Sequence, residues 1–195
     1  MNLKGICFPG SYSPLKIRQK CGGCNSHFYK LIHKILVENN NITSFFDAGV
    51  TKIVYNTKDK NRVFKMVIVK KNINKALKEP LYMLNNKNIC NEPIDITVYI
   101  SSVSSKNIIK NNNLNIIIME NIGNYSLITW FEEKAIAAGR RIHENKEILP
   151  DAEAFRNKTR HKIKKDGFCD LSLNNMGYFC SSPIYRWFDI RPNKG

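Results

Sequence analysis

The chain has 195 residues, a hydrophobic content of 43% and a formal net charge of +15. That length supports one sizeable core or one small two-lobed domain, and the composition excludes a disordered chain. No run of about 18 apolar residues occurs, which excludes a membrane-spanning helix, and the N-terminal "MNLKGICFPGSYSPLKIRQK" lacks a charged-then-apolar secretory pattern.

The positive charge is spread over "KIRQK", "KDKNRVFK", "KKNINKALK" and "RNKTRHKIKK". No aromatic residues interleave with these basic runs as they do in nucleic-acid readers, and the abundance of Lys, Asn and Ile is what an AT-biased genome produces. Nucleic acid is therefore not the expected partner. A phosphate ligand or an acidic protein suits the charge better.

Taken in chain order, residues 1–24 carry Pro and Gly and read as irregular. "NSHFYKLIHKILVE" places Phe28, Leu31, Ile32, Ile35 and Leu36 on one face, with Asn25 or Ser26 as cap, and predicts an amphipathic packing helix. Cys21, Cys24, His27 and His33 are zinc-ligand types, but there is no second CxxC, and a six-residue spacing does not align two histidines on a helix. Reduced cysteines ahead of a helix are the expectation.

From "NITSFFDAG" onward the pattern turns to strands. "TKIVYN" and "RVFKMVIV" are β-branched and aromatic runs around the polar turn "TKDKN", which predicts an antiparallel hairpin. "NINKALKEPLYMLNN" predicts a short helix interrupted at Pro80. "IDITVYISSV" and "LNIIIMENI" predict two further strands. "SLITWFEEKAIAAGRRIHE" and "DAEAFRNKTRHKIKKDG" both read as helices, the second capped by Gly167. "MGYFCSSPIYRWFDI" predicts a hairpin turning at Ser181-Ser182-Pro183. Strands and helices segregated in this way belong to the α+β class rather than to regular βαβ repeats.

The chemistry-bearing residues follow the same order. Lys65 lies on a predicted strand, "CDLSLNNMGYF" carries Asp170 and Asn175, and "RWFDIRP" puts Asp189 in an apolar setting where an unpaired carboxylate is costly. Phosphoryl transfer from ATP needs such a set: a strand lysine for the phosphates, a carboxylate beside the acceptor hydroxyl, and an Asn with a second Asp for Mg²⁺.

On these residues the chain resembles the protein kinases over roughly 42–192. "DAGVTKIVYNTKDKNRVFKMV" is similar to the glycine-rich hairpin and lysine strand. The resemblance implies that Gly49 covers the phosphates, Ile53 and Val54 pack over the base, and Lys65 holds the α/β-phosphates. "IIIMENIGNYSLITWF" resembles the fifth strand and hinge, so that Glu120 and Asn121 offer backbone groups to adenine. "DLSLNN" resembles the catalytic loop, with Asp170 as catalytic aspartate and Asn175 as metal ligand. "FDIR" stands where Asp-Phe-Gly belongs, making Asp189 the principal Mg²⁺ ligand.

The departures are Phe168-Cys169 for His-Arg, Arg191 for the glycine of that motif, and a single glycine over the phosphates. Glu79 is the natural partner for Lys65, but Pro80 follows it, which would set Glu79 at a helix entrance. The resemblance implies an α+β, two-lobed kinase-like fold with an antiparallel N-lobe sheet and a truncated helical C-lobe. Residues 1–41 form an N-terminal extension, 42–122 the N-lobe and 123–195 the reduced C-lobe.

"FDIRP" is also similar to the Asp-aromatic-Arg of compact effector kinases that bacteria deliver into host cells. The implied function is Ser/Thr phosphorylation of a protein, using ATP and Mg²⁺. The implied targets are host signalling, ubiquitin-pathway or chaperone proteins, reached in the host cytoplasm; without delivery the enzyme is cytoplasmic. The competing expectations are a pseudokinase that serves as a binding module, and a basic adaptor or nucleic-acid-binding protein. A small-molecule kinase is a subsidiary one.

Overall fold

The computed structural model describes residues 31, 34–35, 42–48, 52–101, 108, 111–119, 122–123, 125–179 and 185–193. The fold is mixed α+β, dominated by sheet. It divides into two compact units, Met1–Ala76 with Ile94–Glu132, and Leu77–Pro93 with Glu133–Gly195.

The first unit is built on strands β1 (Ile42–Ala48), β2 (Lys52–Thr57) and β3 (Arg62–Val69). Helix α1 (Ile73–Asn85) follows, then β4 (Pro93–Ile100), β5 (Leu114–Ile118) and β6 (Ser126–Glu133). The six strands form one sheet in the order β1-β2-β3-β6-β4-β5. β2 and β3 are antiparallel, as the sequence predicts. Their turn is fixed by Asp59, which accepts the Asn61 N–H on its side chain (2.9 Å) and the Arg62 N–H on its carbonyl (3.0 Å).

Alternation along these strands gives the sheet two distinct faces. Ile53, Tyr55, Phe64, Met66, Tyr99 and Leu127 enclose one core, joined by Ile35. The amphipathic helix read at 25–38 lies largely outside the described residues. Its described members Leu31 and Ile35 pack into this core, so this part of the extension belongs to the first unit.

The second unit begins within α1 and continues after β6 with β7 (Ala137–Ala138), α2 (Gly139–Glu144) and α3 (Leu149–Lys165). β8 (Phe168–Cys169), a 3-10 turn (Leu173–Asn175), β9 (Met176–Tyr178), β10 (Tyr185–Trp187) and β11 (Arg191–Pro192) complete it. α3 starts with Pro150 and Asp151 and ends with Lys162, Lys164 and Lys165, complementing the helix dipole. Gly167 follows at φ +90°, the left-handed conformation expected of a helix-terminating glycine. β9 and β10 form the anticipated hairpin; its turn lies outside the described residues. Met83, Cys90, Ile142, Ala152, Ile163, Met176 and Trp187 anchor a separate core.

Three expectations are corrected. Residues 126–133 are a strand, not a helix. β6 sits between β3 and β4, and Ser126–Trp130 is an unbroken buried run. Burial on both faces erases the alternation that identifies a strand, and leaves an apolar run whose period is ambiguous. Second, Pro80 does not interrupt its helix: α1 runs through it for 13 residues, and Glu79 is mid-helix. Proline in that position forfeits its own N–H and crowds the Ala76 carbonyl. Burial of Leu77, Leu81 and Met83 on the same helix holds the turn in place. Third, helix in the 126–144 stretch is confined to the six residues of α2.

Candidate active site

In the first unit Lys65 lies on β3, on the face opposite the Phe64–Met66 core. Val54 is its direct cross-strand partner on β2. Ile53 belongs to the core instead, so the consecutive pair Ile53–Val54 cannot both pack on one ligand; Val54 alone shares the face of Lys65.

The Lys65 Nζ meets Glu132 Oε1 at 2.6 Å, with the two side chains 5% and 2% exposed. The other carboxylate oxygen, Oε2, accepts the indole N–H of Trp130 at 3.2 Å. Breaking a buried ion pair by removing one partner generally costs about 3–5 kcal/mol. Gly49, Glu120 and Asn121, assigned to nucleotide contacts, lie outside the described residues.

In the second unit Asp170, Asn175 and Asp189 are drawn together by Asn175. Its side-chain amide donates to the carbonyl of Asp170. Its own carbonyl accepts the N–H of Phe188 at 3.1 Å and that of Asp189 at 3.4 Å. Three residues separated by up to 19 positions are thereby joined through one asparagine. Asp170 adopts φ +65°, a left-handed conformation in which Asp and Asn are enriched and most side chains are strained.

β11 pairs with β8, setting Arg191 opposite Cys169. A hydrogen bond to Cys169, and the charges of Cys169, Asp170 and Asp189, hold the Arg191 guanidinium still further in its charged form.

The loop that carries Asp170 lacks the His-Arg of the kinase motif, and other contacts fix it. Arg156 Nε, from α3, donates to the Leu171 carbonyl at 3.1 Å. Phe168 is 5% exposed, and its ring lies 4.4 Å from that of Tyr82. Behind the hairpin, Trp187 Nε1 donates to Thr159 Oγ1 at 2.9 Å.

Glu79 is 5% exposed, and its Oε1 accepts the Ile190 N–H at 3.4 Å. It is therefore tied by backbone to the residue after Asp189. Glu132, Arg156 and Gly139, which abuts the 3-10 turn, were not singled out by the sequence. The signal for Glu132 is a carboxylate closing an otherwise apolar strand; the other two carried none that spacing could supply.

Among the described residues, no group of three or more His, Cys, Asp or Glu side chains gathers as a metal cluster. Within them, no helix is long and apolar enough to cross a membrane. No protein-family model matches the chain, and no curated protein matches it.

Proposed function

We propose that the protein is a compact, atypical protein kinase that transfers the γ-phosphate of ATP to a protein serine or threonine with Mg²⁺. The observation that carries the reading is the Asn175 link, because it joins the two aspartates that the reading needs through the asparagine that it also needs. The order of elements supports it: a β-hairpin, a strand bearing a buried lysine, a helix with a buried glutamate, then helices and a loop bearing Asp170 and Asn175, then a hairpin ending at Asp189.

In this reading Lys65 holds the α/β-phosphates, with Val54 beside it. Asp170 orients the acceptor hydroxyl. The Asn175 side-chain oxygen and the Asp189 carboxylate are hard oxygen donors of the kind Mg²⁺ takes, with phosphate oxygens and water completing its shell. When bound, the ion would neutralise charge that develops on the phosphates. The adenine contacts stay with the backbone of Glu120 and Asn121, as the resemblance assigns them. An effector role, on a host signalling, ubiquitin-pathway or chaperone protein, remains attached to the resemblance of "FDIRP".

The second reading is a pseudokinase, and Arg191 favours it. Its guanidinium is held in its charged form first by a hydrogen bond to Cys169 and then by the charges of Cys169, Asp170 and Asp189, and a positive charge in that field opposes the binding of Mg²⁺.

The test is transfer of label from γ-labelled ATP with Mg²⁺ to dephosphorylated casein and to a host-cell lysate, for wild type and Asp189→Ala. Labelling that disappears in the variant supports the kinase. ATP binding without labelling supports the pseudokinase. Absence of both overturns the two readings together.

A further inference from the structure

A carboxylate that meets Lys65 comes from the neighbouring strand. Lys65 and Glu132 are 2.6 Å apart with almost no exposure. Each oxygen of the Glu132 carboxylate has its own partner: Oε1 the ammonium, Oε2 the indole N–H of Trp130. The Lys65 nitrogen lies 6.0 Å from the centroid of the Trp130 ring, within reach of its π-face. A carboxylate held at both oxygens has little freedom to rotate, and so it fixes the direction of the ammonium as well as its charge.

The backbone beneath it is equally constrained. β6 is an inner strand, paired with β3 on one side and β4 on the other. Trp130 is 1% exposed and Glu132 2% exposed. Trp130, Glu132 and Lys65 therefore form a unit built wholly within the sheet, on the face that also carries Val54.

We propose that Glu132, oriented by Trp130, is the positioning residue that aims Lys65 at the phosphates of the nucleotide. This inference rests on the kinase reading. In the general kinase arrangement the lysine is oriented by a glutamate on a mobile helix, and movement of the helix switches the site. Here a carboxylate on an inner strand contributes to that orientation.

The experiment is calorimetric binding of ADP with excess Mg²⁺, and of adenosine, to the full chain. Four variants are compared with wild type: Lys65→Met, Glu132→Gln, Glu132→Asp and Trp130→Phe. The expected result is a loss of about tenfold in ADP affinity for Lys65→Met and Glu132→Gln, with adenosine affinity within about twofold of wild type. Glu132→Asp, which keeps the charge, should recover part of the loss. A merely structural role would weaken both ligands alike, and that outcome overturns the inference.

If wild type does not bind ADP, or if Lys65→Met binds it unchanged, the nucleotide reading itself fails and this inference with it. If Lys65→Met loses affinity while Glu132→Gln does not, the nucleotide reading stands and the role of Glu132 is overturned. Should Glu132→Gln not fold, Trp130→Phe decides. It removes the indole N–H together with one ring of a buried side chain, and should give a smaller loss confined to ADP; unchanged ADP affinity in the folded variant would overturn the inference.

Discussion

Gly139, the first residue of α2, lies against the backbone of Asn174 so closely that a Cβ on it would stand 2.4 Å from the Asn174 Cα. The contact is backbone on backbone, so no flexible side-chain end can yield. Asn174 is the immediate neighbour of Asn175, which joins Asp170 to Asp189. A methyl group at 139 must push the 3-10 turn, and the turn carries the candidate metal ligand. Gly139→Ala is expected to cost about 1–3 kcal/mol, as overpacking does, and to lower phosphotransfer about tenfold or more. Thermal unfolding and transfer kinetics of the variant check this; a variant with unchanged activity would show that the turn can move without consequence.

The left-handed conformation of Asp170 separates its charge from its backbone role. Asp170→Asn keeps a side chain that tolerates positive φ and removes the negative charge; it should lose transfer with little change in melting temperature. Asp170→Ala should lose transfer too, and additionally destabilise by about 1 kcal/mol, because alanine lacks the local hydrogen bonding that eases αL geometry. Comparing the two melting curves reads the strain. Equal stability would mean that the loop relaxes out of φ +65° at no cost.

Trp187 and Thr159 are coupled across the second core. The indole N–H is buried and donates to the Thr159 hydroxyl, which itself donates to the Phe155 carbonyl at 2.8 Å. Thr159→Val preserves the volume and removes the acceptor. A buried donor left unsatisfied costs about 1–3 kcal/mol, and denaturant unfolding should show the midpoint falling by that energy divided by an unchanged slope. β10 leads directly to Asp189, so the same variant should also weaken transfer. A midpoint equal to wild type would mean that water replaces the hydroxyl.

Much of this arrangement is legible in the sequence where local chemistry decides it. The β2–β3 turn is written in Asp59 and Asn61, and the end of α3 in Gly167. The order of Lys65, Asp170, Asn175 and Asp189 is legible as well, although order says nothing about what touches what. The illegible parts come from tertiary context. β6 is inserted between β3 and β4, which are far from it in sequence order, so no local pattern announces that Glu132 faces Lys65. The same burial on both faces made residues 126–133 read as a helix. Pro80 marked a break that packing of its neighbours overrides. The run Ala135, Ala137, Ala138 and Gly139 does hold a signal in retrospect. Small residues there permit close approach, as a Cβ on Gly177 would stand 2.6 Å from that of Ala135.

Stability at the extremes of pH should depend on a network at the surface of the second unit. Tyr82 Oη donates to Asp166 Oδ2 at 2.7 Å, Lys162 Nζ reaches the same oxygen at 2.7 Å, and Lys162 also donates to Asn86 Oδ1 at 3.0 Å. The Lys162 and Tyr82 hydrogen bonds hold the Asp166 carboxyl below its ordinary value of 3.8. A group whose folded value is depressed contributes stability above its unfolded value and loses it as pH falls through the folded one. The contribution of Asp166 is therefore present above pH 3.8 and disappears in more acidic solution. Tyr82 moves the other way: burial first, then the hydrogen bond and charge of Asp166, raise it above 10.0. Its contribution is complete below pH 10 and is lost as pH climbs towards the raised folded value. Asp166→Asn should flatten the acid limb of the stability profile, by a small amount because the site is exposed. Tyr82→Phe should flatten the alkaline limb and leave the acid limb partly intact through Lys162. Urea midpoints measured from acid to alkaline pH would separate the two effects, and parallel profiles for all three proteins would show that the network does not titrate with folding.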